Sequence, residues 1–279
     1  MRILVTGSGG LLGTEVVVEA TRRGHAVVAT TRASLDVTRD ECRAAIAETA
    51  PDVIVHCAAY TAVDQAEAEA ERAMAVNRDG TRRVAEAARD AGALVVFPSS
   101  DYVFDGHATR PYRVTDPPAP RGVYASSKLA GEEAVRSTGA RHLVIRTSWL
   151  YGAAGRNFVD TIRGLGGDRD EIRVVCDQRG RPTWARSLAT TLLDLVEGGA
   201  SGTVHASDSG SATWDELARA TLELVGARAR VVPVSTETYG AAAPRPAYSV
   251  LDLAETEALL GRPLPHWRTS LAAYLGGSR

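Results

Sequence analysis

Lysine is almost missing from this chain. Of its 32 basic residues, one is a lysine, Lys128, and the rest are arginine. A sequence that uses arginine wherever a positive charge suffices places its single lysine where a planar guanidinium would not serve. A compact ammonium has three rotatable donors and a pKa that its surroundings tune. Cysteine is also scarce. Cys42, Cys57 and Cys176 lie far apart and form neither a CxxC pair nor a zinc-ligand spacing. Cys57 sits in an apolar run and reads as a buried small hydrophobe. Reduced thiols and a cytoplasmic protein are expected. Long apolar runs are absent, since none reaches the roughly 18 residues that suggest a membrane span. Met1-Arg2-Ile3-Leu4-Val5 opens directly on a strand pattern, without an apolar leader or cleavage site. A charge excess is missing too. The formal net charge is −2 and the arginines are dispersed, so neither nucleic acid nor a membrane surface is an expected partner.

What is present is an ordinary globular composition, 44% hydrophobic and 24% charged over 279 residues, enough for one large domain or two modest ones. The first half alternates strand and helix patterns. Strands are expected at 3–6, 26–31, 52–58, 93–97 and 142–146, and helices at 11–23, 41–50, 67–90 and 124–137. The third strand is apolar nearly throughout, as a strand buried on both faces must be. Repeated βα units predict an α/β fold of Rossmann type, a doubly wound parallel sheet, over residues 1–148. Beyond Trp149 the rhythm loosens. Short strands near 172–175, 203–206 and 231–234 mix with helices near 187–197, 214–225 and 253–260. Residues 149–279 therefore read as a smaller C-terminal lobe closing over the first, with segments near 172–200 returning to it. Gly-Gly-Ser near the C-terminus reads as a frayed end.

Thr6-Gly7-Ser8-Gly9-Gly10-Leu11-Leu12-Gly13 follows the first strand and opens the first helix. A pyrophosphate must approach backbone N–H groups at a helix N-terminus, and side chains would block it. Gly7 permits the turn, Gly10 the close approach, and Gly13 tight helix–strand packing. The second strand ends in Thr30-Thr31-Arg32, with no carboxylate for the ribose hydroxyls of NADH. Arg32 is either a partner for the 2′-phosphate of NADPH or a solvated loop arginine. Asp36 and Val37 fall where the adenine edge would lie, and Asp36 alternatively caps the next helix.

Tyr124-Ala125-Ser126-Ser127-Lys128 has a YxxxK spacing. On a helix, positions i and i+4 share a face, so phenol and ammonium point the same way. The ammonium is expected to lower the phenol pKa and to hold a nicotinamide ribose. Such a phenol donates a proton to a carbonyl oxygen as hydride reaches carbon. A hydroxyl partner is expected at the C-terminal end of the fourth strand, where Ser99 and Ser100 both qualify.

With these motifs the chain resembles the extended short-chain dehydrogenase/reductases, and within them the dTDP-4-dehydrorhamnose reductase family. The likeness runs nearly end to end, through TGSGGLLG (6–13), PDVIVHCAAYTAVDQAEAE (51–69), SSDYVFDG (99–106), VYASSKLAGE (123–132), RTSWLYG (146–152), DQRGRPTWA (177–185) and RPAYSVLD (245–252). It implies an NADPH- or NADH-dependent reduction of the C4 ketone of a dTDP-4-keto-6-deoxyhexose, NADPH being favoured by Arg32. It implies Tyr124 as proton donor, Lys128 on the ribose, and Ser100 as the assisting hydroxyl, a position usually held by Thr. Asp101 and Trp149 match positions that contact the deoxysugar, with a turn cap and ordinary core as their plainer readings. Gly10, Leu11 and Leu12 match the phosphate loop, Leu11 replacing a frequent Gln. Ala59, Tyr60 and Thr61 match the segment under the nicotinamide, and Asn77 supports that wall. Arg156, Arg179, Arg181 and Arg245 are candidates for the sugar diphosphate. Some relatives bind magnesium between subunits through glutamates. Glu15 has a compatible position, but a lone Glu on an exposed helix face is ordinarily solvated, and no metal is expected. The chain is expected to act as a monomer or homodimer. Two other readings of the same likeness are a 4-ketoreductase of another activated deoxysugar and a non-catalytic regulatory subunit of methionine adenosyltransferase; the intact Tyr124/Lys128 pair argues against the latter.

Overall fold

The computed structural model describes residues 1–277. The first half runs β1 (Arg2–Thr6), α1 (Leu11–Arg22), β2 (Ala26–Thr30), α2 (Cys42–Thr49), β3 (Val53–His56), α3 (Val63–Ala66), α4 (Ala70–Met74), α5 (Thr81–Ala91), β4 (Leu94–Ser100), α6 (Val123–Ser137) and β5 (His142–Thr147). There follow β6 (Leu150–Tyr151), α7 (Phe158–Asp168), β7 (Glu171–Val175), β8 (Arg179–Gly180), β9 (Thr183–Trp184), α8 (Ala185–Glu197) and β10 (Gly202–His205). The chain ends with β11 (Ala212–Thr213), α9 (Trp214–Val225), β12 (Arg230–Val234), α10 (Thr236–Tyr239), α11 (Ala254–Leu260) and α12 (Trp267–Gly276).

Six strands form a parallel sheet in the order β10-β5-β4-β3-β1-β2. Strand periodicity sorts its side chains onto two faces. Ile3, Val5, Val53, Val55, Leu94 and Val96 pack under α1 and α8, where Leu12, Val16, Leu188 and Leu192 meet them. Leu4, Ile54, Val95 and Phe97 face the other way, toward Ile46, Val84, Ala88 and Val135 of α2, α5 and α6. Both faces are covered, so the sheet is doubly wound. β10 lies beyond Trp149 and was read in sequence as part of the second lobe, yet it is the sixth strand of the central sheet, in register with β5 (Gly202 opposite Leu143). The remaining C-terminal elements build small two-stranded sheets, β7 with β12 among them. Their cores center on Trp267, Leu271 and Tyr274, and on Ile162, Ile172 and Leu222.

The continuous helix expected over 67–90 is not what forms. Glu67 to Glu69 lie outside helix, and residues Ala75–Gly80 make a π-helical turn between α4 and α5. The cause is tertiary. Asn77, buried in that turn, donates to the Tyr60 carbonyl (3.0 Å) and the Ser127 hydroxyl (2.8 Å), and accepts from the Tyr60 N–H (2.8 Å). π turns are rare, and those that occur are frequently beside functional sites. Gly131 of α6 sits against it: an added Cβ would lie 2.4 Å from the Asn77 carbonyl oxygen and 2.7 Å from the Phe97 ring. Gly131→Ala is therefore expected to cost about 1–3 kcal/mol, as overpacking of a tight core does. A denaturation midpoint equal to wild type would contradict that contact. Four helices escape the sequence reading, the four-residue α3 and α10 and the longer α7 and α12. α7 carries Gly164, Gly166 and Gly167, which depress helix propensity; Gly166 is there because a Cβ would strike Leu222 at 2.5 Å. α12 is short, and its buried Trp267, Leu271 and Tyr274 hold it in place. At the C-terminus Gly276 ends α12 and Gly277 caps it; Ser278 of the expected frayed end lies outside the described residues.

Candidate active site

The chain reverses direction across the sheet between β1 and β3, the point where open α/β sheets leave a crevice for ligands. A cavity of about 510 Å³ opens there. Gly10 to Gly13, Ala59, Thr61, Ser100, Asp101, Tyr124, Lys128 and Trp149 line it. The glycine loop and the YxxxK helix, more than 100 residues apart in sequence, thus face one space.

The glycine turn has the geometry that an anion cradle needs. Gly7 has φ +68°, and a Cβ there would lie 2.5 Å from the Ala58 nitrogen. At Gly13 a Cβ would fall 2.3 Å from the Gly7 carbonyl oxygen. Gly10 is the N-cap of α1, and no side chain caps the helix. Its first N–H groups are left for a ligand, and the dipole of the helix favours a negative one. Gly7 itself stands outside the cavity wall and serves the turn.

Tyr124 lies in the first turn of α6 and Lys128 one turn later. The Lys128 Nζ donates to the Pro98 carbonyl at 2.7 Å and sits 4.2 Å above the Phe97 ring. Burial pulls its pKa down to about 8, opposed by the Glu132 carboxylate. For Tyr124 the sequence expectation is reversed. Burial pushes its phenol up to about 12, with only Ser100 pulling the other way. The ammonium is engaged with a backbone carbonyl, and desolvation of the phenolate dominates. A phenol that keeps its proton through neutral pH is in the state a proton donor requires.

Of the two serines, Ser100 neighbours Tyr124, while the Ser99 hydroxyl is committed to Glu132 at 2.6 Å. Ser100 also donates to the Asp101 carboxylate (3.2 Å) and caps the short turn after β4 by accepting from the Tyr102 N–H. The cap is therefore Ser100, and Asp101 is left to the cavity. Asp101 is 2% exposed, its Oδ2 has no partner, and burial pushes its carboxyl up to about 7. A buried carboxyl oxygen without a partner facing a cavity is a place for a ligand donor. Trp149 has φ +47°, a left-handed conformation that costs a bulky residue of order 1–3 kcal/mol. Its ring stacks on Trp214 at 3.6 Å and 4°, and Gly180 leaves room beside it, since a Cβ there would be 2.5 Å from the indole. Strain held by packing on both sides, at a cavity wall, sets Trp149 apart from ordinary core.

Other expected residues stand elsewhere. Arg32 is largely exposed at the end of β2 and meets Asp36 at 3.3 Å. Asp36 accepts from the Thr38 N–H and hydroxyl and does not cap α2, whose N-cap is Glu41. Val37, expected at the adenine edge, turns its side chain into the core against Gly80. Tyr60 points its hydroxyl to Glu69 (3.2 Å) and does not line the cavity, although Ala59 and Thr61 on either side of it do; Asn77 braces its backbone. Arg179 reaches Glu216, Arg181 donates to the Leu251 and Gly210 carbonyls, and Arg245 forks onto Asp64. Among the four arginines, Arg156 alone lines the cavity. Glu15 is not on an exposed face: it is buried and meets Arg186 at 3.2 Å. Cys57 is partly buried, lines the cavity, and has its thiol pushed up to about 12 by burial.

Sequence reasoning missed His56, Tyr102 and Trp214, which also line the cavity. His56 is bonded to Thr6 (2.7 Å) and Thr81 (3.1 Å), and burial holds its pKa at about 3, so it is neutral. Its place at the end of β3 was a usable signal. Trp214 had none, because only the tertiary fold brings the start of α9 to Trp149.

The sequence profile of the RmlD substrate binding domain matches residues 1–278. The chain is 46% identical to dTDP-4-dehydrorhamnose reductase of Streptomyces griseus, over 97% of this chain and 91% of the relative. It is 42% identical to a probable dTDP-4,6-dihydroxy-2-methyloxan-3-one 4-ketoreductase of Streptomyces antibioticus, over 97% and 93%. The structure of dTDP-4-dehydrorhamnose reductase from Bacillus anthracis in complex with NADP superposes with a TM-score of 0.96 at 38% identity, covering 99% of both chains. Among the described residues no helix is long and apolar enough to cross a membrane. With the glycine cradle, the Tyr124/Lys128 pair and the end-to-end match together, the chain belongs to the dTDP-4-dehydrorhamnose reductase family of extended short-chain dehydrogenase/reductases.

Proposed function

We propose that the chain reduces the C4 ketone of dTDP-4-dehydro-β-L-rhamnose to dTDP-β-L-rhamnose with NADPH. The observation that carries this is the shared cavity: Tyr124, Lys128 and Ser100 face the same space as the uncapped N-terminus of α1. The relatives named for this reaction, and the NADP complex of one of them, support it.

The residues present fit a dinucleotide. Gly10, Leu11, Leu12 and Gly13 would hold the pyrophosphate at the N-terminus of α1, which no side chain caps. Ala59 and Thr61 would back the nicotinamide half, Lys128 its ribose, and Arg32 a 2′-phosphate. NADPH, when bound, supplies the hydride. Tyr124 gives its proton to the ketone oxygen as negative charge develops there, and Ser100 assists by hydrogen bonding at the same oxygen. Asp101 and Trp149 orient the sugar, and Arg156 meets its diphosphate. Residues 1–148 supply the cofactor half and 149–279 most of the substrate half. The cytoplasm is the expected place of work.

Incubation with dTDP-4-dehydro-β-L-rhamnose, with either NADPH or NADH, tests the reading by NMR of the product. A substrate left unconsumed with both cofactors rejects it. A second reading, reduction of another activated 4-keto deoxysugar, has the Streptomyces antibioticus relative in its favour and differs in the sugar consumed and the configuration at C4. Arg32→Ala is expected to raise the KM for NADPH roughly tenfold, the scale of one charge-assisted contact, and to leave that for NADH unchanged. Side-by-side kinetics showing an unaltered ratio would remove Arg32 from cofactor choice.

A further inference from the structure

Three consecutive residues of β4 are tied to three successive turns of α6. Tyr124, Lys128 and Glu132 are spaced by four residues and share a helix face. Ser100 neighbours the Tyr124 phenol. The Pro98 carbonyl accepts from Lys128 at 2.7 Å. The Ser99 hydroxyl donates to the Glu132 Oε1 at 2.6 Å. The last tie lies behind the reacting groups and has no part in the chemistry derived above.

Glu132 is fully buried. The Arg146 guanidinium forks onto its carboxylate at 2.9 and 2.8 Å, and Arg136 adds a bond of 2.7 Å. Arg146 lies on β5 directly opposite Ser99, so the carboxylate joins β4, β5 and α6 at one point. Buried ion pairs are poor sources of stability, because desolvation offsets the attraction. What the fork and the serine provide is a fixed direction at each partner.

We propose that Glu132 is a positioning residue for the reduction: through Ser99 and Arg146 it locks the end of β4 against α6, so that the Pro98 carbonyl and the Ser100 hydroxyl keep Lys128 and Tyr124 in register. The proposal rests on Tyr124 being the proton donor. It has an electrostatic consequence. The groups around Lys128 are His56 and Cys57 from the end of β3, the Phe97 ring and Pro98 carbonyl from β4, and Tyr124 and Glu132 on its own helix. His56, Cys57 and Tyr124 are uncharged near neutral pH, so Glu132 is the charge among them that favours the ammonium. The groups around Glu132 itself are Ser99, Arg136 and Arg146, with His205 beyond, whose pKa burial lowers to about 4.

Two variants of the full chain test this, after turnover by wild type is established. Glu132→Gln keeps the shape and removes the charge. It is expected to lower kcat at least tenfold and to move the alkaline limb of the kcat/KM profile to lower pH, because Lys128 then gives up its proton more readily. A general loss of packing would reduce the rate and leave that limb in place. Ser99→Ala leaves the carboxylate with both arginines and breaks only its tie to β4. It is expected to lower kcat several-fold with NADPH affinity and sugar KM unchanged. A wild-type kcat in Ser99→Ala overturns the proposal, whether or not Glu132→Gln folds. An unmoved alkaline limb in folded Glu132→Gln overturns it too. An inactive wild type points instead at the assigned reaction.

Discussion

Replacing Tyr124 by phenylalanine is expected to lower kcat by about 10²–10⁴-fold, the range for loss of a positioned general acid, with NADPH affinity near that of wild type. The ring stays, and its edge-to-face contact with Tyr102 at 5.9 Å is kept. Only the hydroxyl is lost. The other acid of the cavity near neutral pH is Asp101, which is assigned to the sugar and already accepts from Ser100. Ser100 is a far weaker acid than a phenol, Lys128 is bonded to the Pro98 carbonyl, and His56 is buried and tied to two threonines. Fluorescence titration with NADPH separates binding from chemistry, and steady-state turnover reads the second. A kcat within tenfold of wild type would take Tyr124 out of the mechanism.

The second large effect belongs to the one lysine. Lys128→Met is expected to lower kcat/KM by about 10²–10³-fold, the scale of one preorganised donor removed from a water-excluded site. In wild type, activity should fall as pH rises through about 8, where burial has brought the Lys128 pKa down from 10.5. The sign for stability is opposite. Between about 8 and 10.5 the unfolded chain holds a proton at Lys128 that the folded chain has released. Stability therefore gains from this group as pH rises through that window. Activity lost above pH 8 without a falling thermal midpoint would match this account. An alkaline limb unchanged in Lys128→Met would assign the titration to another group.

Much of this was open to a reader of the sequence, for local reasons. Glycines in the turn after β1, valines and isoleucines filling β3, and a phenol and an ammonium one helical turn apart are each constrained by neighbours in the chain. The arginine surplus singles out Lys128 from the sequence alone. Other features were closed to such reading. The π turn at Asn77 exists because its amide crosses to Tyr60 and Ser127. Gly166 of α7 is required because Leu222 of α9 presses on it. The choice among four arginines depended on which were already paired.

The sequence by itself determined the order of βα units, the anion cradle at the start of α1, and the spacing that puts Tyr124 and Lys128 on one face, since each follows from backbone geometry over a few residues. Tertiary structure decided the protonation states. The Tyr124 phenol is raised, not lowered, and the Asp101 carboxyl stands near neutral. Desolvation sets both, and it depends on what packs around a group from distant parts of the chain.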